Sequence, residues 1–330
     1  MNDKHNLPRL SLGCLGGTVS MQAGLPGQGV TPQLEGNALL AGVPQLGTLA
    51  RITTTSLGLL PSASLTFQIM LDVLNWARGE VERGAQAVVL TQGTDTLEES
   101  AYFLDLLWPF DAPLVMTGAM RAASQPGHDG PANLLAAVQV ALTAESHGRG
   151  VLVVLNDQVH LASHVRKTAS LAMAAFESPG WGPEGGVVEG RAMYRRPPLL
   201  RKVLPPPRRC GHRVALLEAC LDADGALLQA IPTLGYQGLV VSGFGAGHVS
   251  AAWAQAMASI ALDIPVIVAT RTGSGPTASA SYGFAGAEID LQRKGMHMAG
   301  SLCPRKCRLL LWLLIGLGNE EALPSWLAAR

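Results

Sequence analysis

The chain has 330 residues, enough for two domains with cores of their own. Hydrophobic residues make up 48% and charged residues 15%, with a formal net charge of zero. That balance excludes a disordered chain and removes any global argument for nucleic acid or an anionic membrane surface as partner.

In chain order, Met1 to His5 carry no apolar core of a secretory signal, so a cytoplasmic location is expected. Arg9-Leu10-Ser11-Leu12-Gly13 predicts a short strand, followed by Gly16-Gly17-Thr18-Val19-Ser20. Two glycines allow a tight turn and close approach to a ligand, and Thr18 then sits at a strand end. Residues 21–62 are rich in glycine, threonine and proline and show no strong helical period; they predict a mobile loop and a hairpin, the kind of segment that serves as a lid. Phe67, Met70, Leu71, Leu74 and Val81 recur at helical spacing, and Gly84 is the stop.

The most informative stretch is Thr91-Gln92-Gly93-Thr94-Asp95-Thr96-Leu97-Glu98-Glu99. The run Ala87-Val88-Val89-Leu90 predicts a buried parallel strand feeding into it, and a helical pattern follows, with Thr96 and Glu99 spaced as a capping box. Thr94 and Asp95 therefore stand where a strand ends and a helix begins, the crevice in which open α/β sheets bind ligands. Asp95 reads either as a helix-start acid or as the partner of a substrate ammonium group.

Further strands are expected at Pro113 to Thr117 and Val151 to Leu155, with a helix between them from Pro131 to about Ser146. The order predicts an α/β fold: a larger N-terminal domain (1–194) whose mostly parallel sheet is flanked by helices. Lys167, in Arg166-Lys167-Thr168, reads as a solvated charge, or as a base if the fold buries it beside Thr94. Residues 195–209 hold five prolines and six basic residues and read as an extended, solvated linker (195–210), not as a nucleic-acid arm.

A smaller C-terminal α/β domain with a parallel sheet (211–330) is expected from strands near Val214 to Leu217, Leu239 to Ser242 and Pro265 to Ala269. Gly243-Phe244-Gly245-Ala246-Gly247-His248 departs from G-x-G-x-x-G, and Asp263 precedes a strand instead of ending one, so a dinucleotide site is not expected. His248 reads as a loop or packing residue. Leu309 to Leu317 is too short to span a bilayer and reads as a buried helix. The five cysteines, at 14, 210, 220, 303 and 307, form no C-x-x-C pair and read as reduced thiols.

These blocks together resemble the bacterial-type L-asparaginase family over nearly the whole chain. The resemblance rests on Leu15-Gly16-Gly17-Thr18-Val19-Ser20, Gln92-Gly93-Thr94-Asp95-Thr96, Thr117-Gly118-Ala119-Met120-Arg121, Asp129-Gly130-Pro131-Ala132-Asn133-Leu134, Val165-Arg166-Lys167-Thr168 and Tyr282-Gly283-Phe284. It implies hydrolysis of the side-chain amide of L-asparagine, with glutamine or D-asparagine as side substrates and no metal or organic cofactor. By the same resemblance Thr18 is the nucleophile, Thr94 and Lys167 share proton transfer, and Asp95 binds the substrate ammonium. Ser62 grips the α-carboxylate, Ala119 lines the amide end through its backbone, and the N–H of Gly17 or Thr94 meets the oxyanion. A homo-oligomer, dimer or tetramer, is implied, with a small-molecule amino-acid amide as ligand and neither nucleic acid nor membrane as partner.

The chain departs from the family pattern at several places. No tyrosine lies between Thr18 and Thr94, no glutamate lies around Pro276 to Tyr282, and Gly245-Ala246-Gly247 stands where some members have Gly-Asn-Gly. A non-catalytic amino-acid sensor that keeps the pocket is the alternative these departures suggest. A subunit of a tRNA-dependent amidotransferase is not expected, since the first strand begins near Arg9.

Overall fold

The computed structural model describes residues 7–17, 21–23, 30–32 and 36–328, with backbone alone at 21–23, 30–32, 36 and 37. The chain divides into two compact units, Met1–Val203 and Leu204–Arg330.

In the first unit the strands are β1 (Arg9–Cys14), β2 (Met21–Ala23), β3 (Val30–Pro32), β4 (Arg51–Ser56), β5 (Ala87–Thr91), β6 (Leu114–Thr117), β7 (Val151–Leu155), β8 (Gln158–Leu161), β9 (Arg166–Lys167), β10 (Phe176–Glu177), β11 (Gly185–Val188) and β12 (Arg191–Tyr194). The helices are α1 (Gly36–Ala41), α2 (Leu46–Leu49), α3 (Phe67–Glu82), α4 (Leu97–Leu107) and α5 (Gly130–Leu142). An eight-stranded sheet runs β12-β11-β8-β7-β6-β5-β1-β4. Its pairs from β4 through β7 are parallel and the remaining three strands are antiparallel.

The β5–β7 strands are buried along their whole length, because helices cover both faces. On one face Leu10, Leu12, Val89, Val115, Leu152 and Val154 pack with Leu134, Ala137 and Val138 of α5 and with Leu39 and Leu46. On the other, α3 lies against β1 and β5, and α4 against β6 and β7.

Two expectations are corrected. Residues 21–62 hold more order than a loop and hairpin: β2 and β3 do pair antiparallel, but α1, α2 and strand β4 follow, and β4 pairs in parallel with β1 from Arg9↔Arg51 to Cys14↔Ser56. This edge strand, Arg-Ile-Thr-Thr-Thr-Ser, carries one apolar side chain. It is only partly buried, so its β-branched threonines, not alternation of apolar residues, mark it as a strand. The capping box of Thr96 and Glu99 does not form. The Thr96 hydroxyl instead donates to the Ser62 carbonyl (3.0 Å) and accepts from Gln92 Nε2 (3.2 Å), and a 3-10 turn, Thr94–Thr96, leads into α4.

The proline-rich stretch has no regular structure, yet it is not freely solvated. Arg196 bonds Glu184 and the Trp181 carbonyl, and Arg201 bonds the carboxylate and carbonyl of Asp105.

The second unit contains β13 (Val214–Glu218), β14 (Gly238–Gly243), β15 (Val266–Thr270), β16 (His297–Met298), α6 (Ala226–Thr233), α7 (Ala251–Ile260), α8 (Glu288–Arg293), α9 (Pro304–Leu317) and α10 (Leu323–Leu327). Its four strands are all parallel, in the order β13-β14-β15-β16. Leu239, Val241, Val266 and Val268 pack with Leu228, Trp253 and Met257 on one face. The apolar run at Leu309 lies in α9, buried against the other face on β13, β14 and β15. No helix of the described residues is long and apolar enough to cross a membrane. All five cysteines are free. His248 bridges to Phe244, sits 3.2 Å from Glu288, and packs T-shaped with Tyr282 and Phe284.

Candidate active site

Parallel neighbours β1 and β5 end in register at Cys14↔Thr91, so the loops after both strands leave the sheet at one edge, side by side. Leu15 N–H donates to the Thr91 carbonyl at 2.9 Å and extends the pairing into the loops. Gly16 and Gly17 follow with φ of 85° and 86°, a conformation that disfavours any side chain. A Cβ on Gly17 would lie 2.1 Å from Gly93 N, so the two loops touch backbone to backbone there. Thr18, the expected nucleophile, follows Gly17 in the sequence and lies outside the described residues.

Ser62 joins the same point from a 3-10 turn, Ser62–Ser64. Its buried hydroxyl accepts from Asp95 N (3.2 Å), and a Cβ on Gly93 would strike it at 2.7 Å. Ser62, Gly93 and Gly17 thus form one contact cluster.

Lys167 completes the constellation. Its ammonium donates to Thr94 Oγ1 and to Asp95 Oδ1, each at 2.9 Å. The two acceptors differ in exposure. Thr94 is buried, whereas the Asp95 side chain is 67% exposed and can take a second cationic partner from solvent. Lys167 reaches this position because β9 pairs with β10, Lys167↔Phe176, and because Glu98 Oε2 accepts from its backbone N–H at 2.5 Å. The fold thus brings Lys167 beside Thr94.

The loop after β6 forms the remaining wall. Gly118 sits so close that a Cβ there would lie 2.5 Å from Gln92 O and 3.2 Å from Thr94 Cγ2. Ala119 follows, fully buried. Behind it Asn133 and Asp129 bond the loop: Asn133 Nδ2 donates to Gly118 O (2.9 Å), and the Asp129 carboxylate accepts from Met120 N (2.9 Å) and Arg121 N (2.9 Å).

Of the residues expected at the site, Ser62, Thr94, Asp95, Lys167, Gly17 and Ala119 all stand around this sheet edge. Glu98 was missed, and Asp129 and Asn133 were noted as a motif without a role. Glu98 had a legible signal. Helix α4 is buried on nearly every side, so a carboxylate on it must find a partner inside the protein. Asp105, on the same helix, obeys the same rule through Val151 N and Arg201.

The family model described as "Asparaginase, N-terminal" matches residues 9–200, and that described as "Glutaminase/Asparaginase C-terminal domain" matches 213–323. The chain belongs to the asparaginase family. A probable L-asparaginase of Deinococcus radiodurans is 36% identical over 329 residues, covering 96% of this chain and 95% of the relative. A probable periplasmic L-asparaginase of Haemophilus influenzae is 33% identical over 317 residues, covering 94% of this chain and 89% of the relative. A solved structure, a probable cytoplasmic L-asparaginase of Campylobacter jejuni, superposes with a TM-score of 0.87 at 28% identity, covering 98% of this chain and 100% of that one.

Proposed function

We propose that this chain is an L-asparaginase, which takes L-asparagine and water to L-aspartate and ammonia. The observation that carries the reading is Lys167 Nζ, shared at 2.9 Å between Thr94 Oγ1 and Asp95 Oδ1 at the carboxyl end of β5. A hydroxyl, a carboxylate and an amine at one strand end suit amino-acid recognition and proton transfer together.

In this reading the Thr18 hydroxyl attacks the side-chain amide carbon. A threonine hydroxyl needs help to do so, since it is a weak nucleophile at its own pKa. Thr94 and Lys167 move the proton: Lys167 Nζ gives a proton to the departing amide nitrogen and takes the Thr94 hydroxyl proton in its place, while Thr94 Oγ1 takes the proton that leaves Thr18, so the net transfer is from Thr18 to ammonia. Water then hydrolyses the acyl ester and regenerates Thr18. Backbone N–H groups of Gly17 or Thr94 stabilise the developing oxyanion.

Recognition divides among the remaining residues. Asp95 binds the substrate ammonium with its exposed oxygen. Ser62 accepts from Asp95 N with a lone pair, so its own proton is available for the α-carboxylate. Ala119 meets the amide end. Glutamine and D-asparagine are side substrates in this account. The protein acts as a cytoplasmic homo-oligomer, dimer or tetramer, which light scattering on the purified chain tests. The activity itself is tested by ammonia release: the chain releases ammonia from L-asparagine, and Thr18→Val and Thr94→Val abolish it. Turnover retained in Thr18→Val removes the nucleophile from the scheme.

A further inference from the structure

Two polar side chains behind the site hold one short loop, and the proposed reaction does not use them. Asn133 lies in the first turn of α5 and is 2% exposed. Its Nδ2 donates to Gly118 O and to Asp129 Oδ2, both at 2.9 Å, and its Oδ1 accepts from Asn156 N at 2.9 Å. Asn156 stands at the β7–β8 turn with φ of 50°, a left-handed conformation that asparagine tolerates better than most residues. The Asp129 carboxylate takes Met120 N and Arg121 N. Elements α5, β6 and β7 are thereby tied to the loop at Gly118–Arg121.

The consequence falls on Ala119. In a trans peptide the C=O and N–H point in opposite directions, and the described residues have no cis peptide. Fixing Gly118 O toward Asn133 turns Ala119 N–H away from it. Fixing Met120 N–H toward Asp129 turns the Ala119 carbonyl away likewise. Both peptide planes beside Ala119 are therefore set from behind. Their outward groups, one donor and one acceptor, have no partner among the described residues although Ala119 is fully buried. Buried backbone groups call for partners. A primary amide supplies both an acceptor oxygen and N–H donors. A carboxylate offers acceptors only, and sets a lone pair against the Ala119 carbonyl.

We infer that Asn133 and Asp129 are positioning residues that make the Ala119 peptide groups select an amide over a carboxylate, so that substrate is held and acid product is released. The inference rests on the proposed asparaginase reading. Asp95 and Ser62, which grip the amino-acid end common to both ligands, stand outside this network. Loss of the clamp therefore separates the two ligands, whereas general loosening of the fold does not.

The experiment is titration calorimetry of the full chain in a Thr18→Val background, where L-asparagine is not consumed. L-asparagine and L-aspartate are compared before and after adding Asn133→Ala, and separately Asp129→Asn, which keeps the side-chain size and serves if the first variant fails to fold. Each substitution is expected to weaken L-asparagine about tenfold while L-aspartate changes by less than about twofold, the loss being that of one or two neutral hydrogen bonds. Equal weakening of both ligands, or no change in either, overturns the positioning role and leaves the asparaginase reading standing. If the Thr18→Val parent binds neither ligand, the asparaginase reading falls and the inference with it.

Discussion

Gly17→Ala tests the contact on which the whole site geometry depends. The new Cβ would stand 2.1 Å from Gly93 N, against about 3.4 Å for ordinary contact, so the two loops must part by roughly 1.3 Å. The neighbour is backbone in the loop after β5, held between the Gln92 N–H bond to Thr117 O and the turn at Thr94, not a flexible side chain, so it does not give way easily. The left-handed φ adds about 1–2 kcal/mol for any residue with a Cβ, and forced overpacking adds about 1–3 kcal/mol. Together these give about 2–5 kcal/mol of destabilisation, or a loop displaced by about 1 Å if the strain is relieved by movement. A displacement of that size costs about a hundredfold in rate at a positioned site. Thermal unfolding and kcat/KM for ammonia release from L-asparagine measure the two routes, and one or both must move. Gly47→Ala is the control: it lies in α2 with nothing within 4 Å of the built Cβ, and it should be neutral or stabilise by up to about 1 kcal/mol. A Gly17→Ala protein with the melting point and kcat/KM of its parent refutes the backbone contact.

Glu98→Ala should lower kcat about ten- to hundredfold, because it frees the Lys167 backbone and leaves a part-buried N–H unpaired; Glu98→Gln, which still accepts, should recover most of the loss, and equal rates in the two variants would exclude the anchor. His212 stacks on Trp312 and bonds its carbonyl. Burial lowers its pKa from the ordinary 6.5, partly offset by that hydrogen bond. The folded state thus binds fewer protons than the unfolded one, and stability is lost as pH falls below about 6.5. His212→Phe keeps the stacking and should show a smaller drop in melting temperature between about pH 7.5 and pH 5.5; an unchanged drop assigns the loss to other groups. Burial would raise Glu288, but hydrogen bonds from the Tyr282 and Ser281 backbone and from His248 outweigh it and hold the carboxyl below its ordinary 4.5. Its contribution is complete above about pH 4.5 and lost as pH falls further, so Glu288→Gln should flatten the acid limb of the melting curve below that pH, and a limb as steep as the parent's contradicts it.

The α/β class was legible because the parallel strands at Ala87, Val151 and Val266 are nearly continuous apolar runs rich in β-branched residues, as a sheet covered on both faces requires. Thr94 and Asp95 were legible as a site because a buried strand ran directly into small polar residues and a helix. Position in space was not. Nothing in Arg166-Lys167-Thr168 says that β9 folds back onto α4, since the bond that holds it comes from Glu98, 69 residues away. Strand β4 escaped because an edge strand with one apolar residue leaves no alternation to read. The capping box misled for a related reason. The Thr96 hydroxyl was claimed by Ser62, 34 residues distant in sequence, and a long-range partner outcompeted the local one. Asn133 was visible within its motif, but its purpose depended on Gly118 and Asn156, which chain order keeps apart.

The most direct test of the account is ammonia release from L-asparagine by the purified chain, measured beside Lys167→Met. Steady turnover is expected in the parent, and at least a hundredfold loss of kcat in Lys167→Met with the fold intact, since removing a positioned proton carrier costs about 10²–10⁴ in rate. A parent that releases no ammonia, or a Lys167→Met protein that turns over at the parental rate, contradicts it.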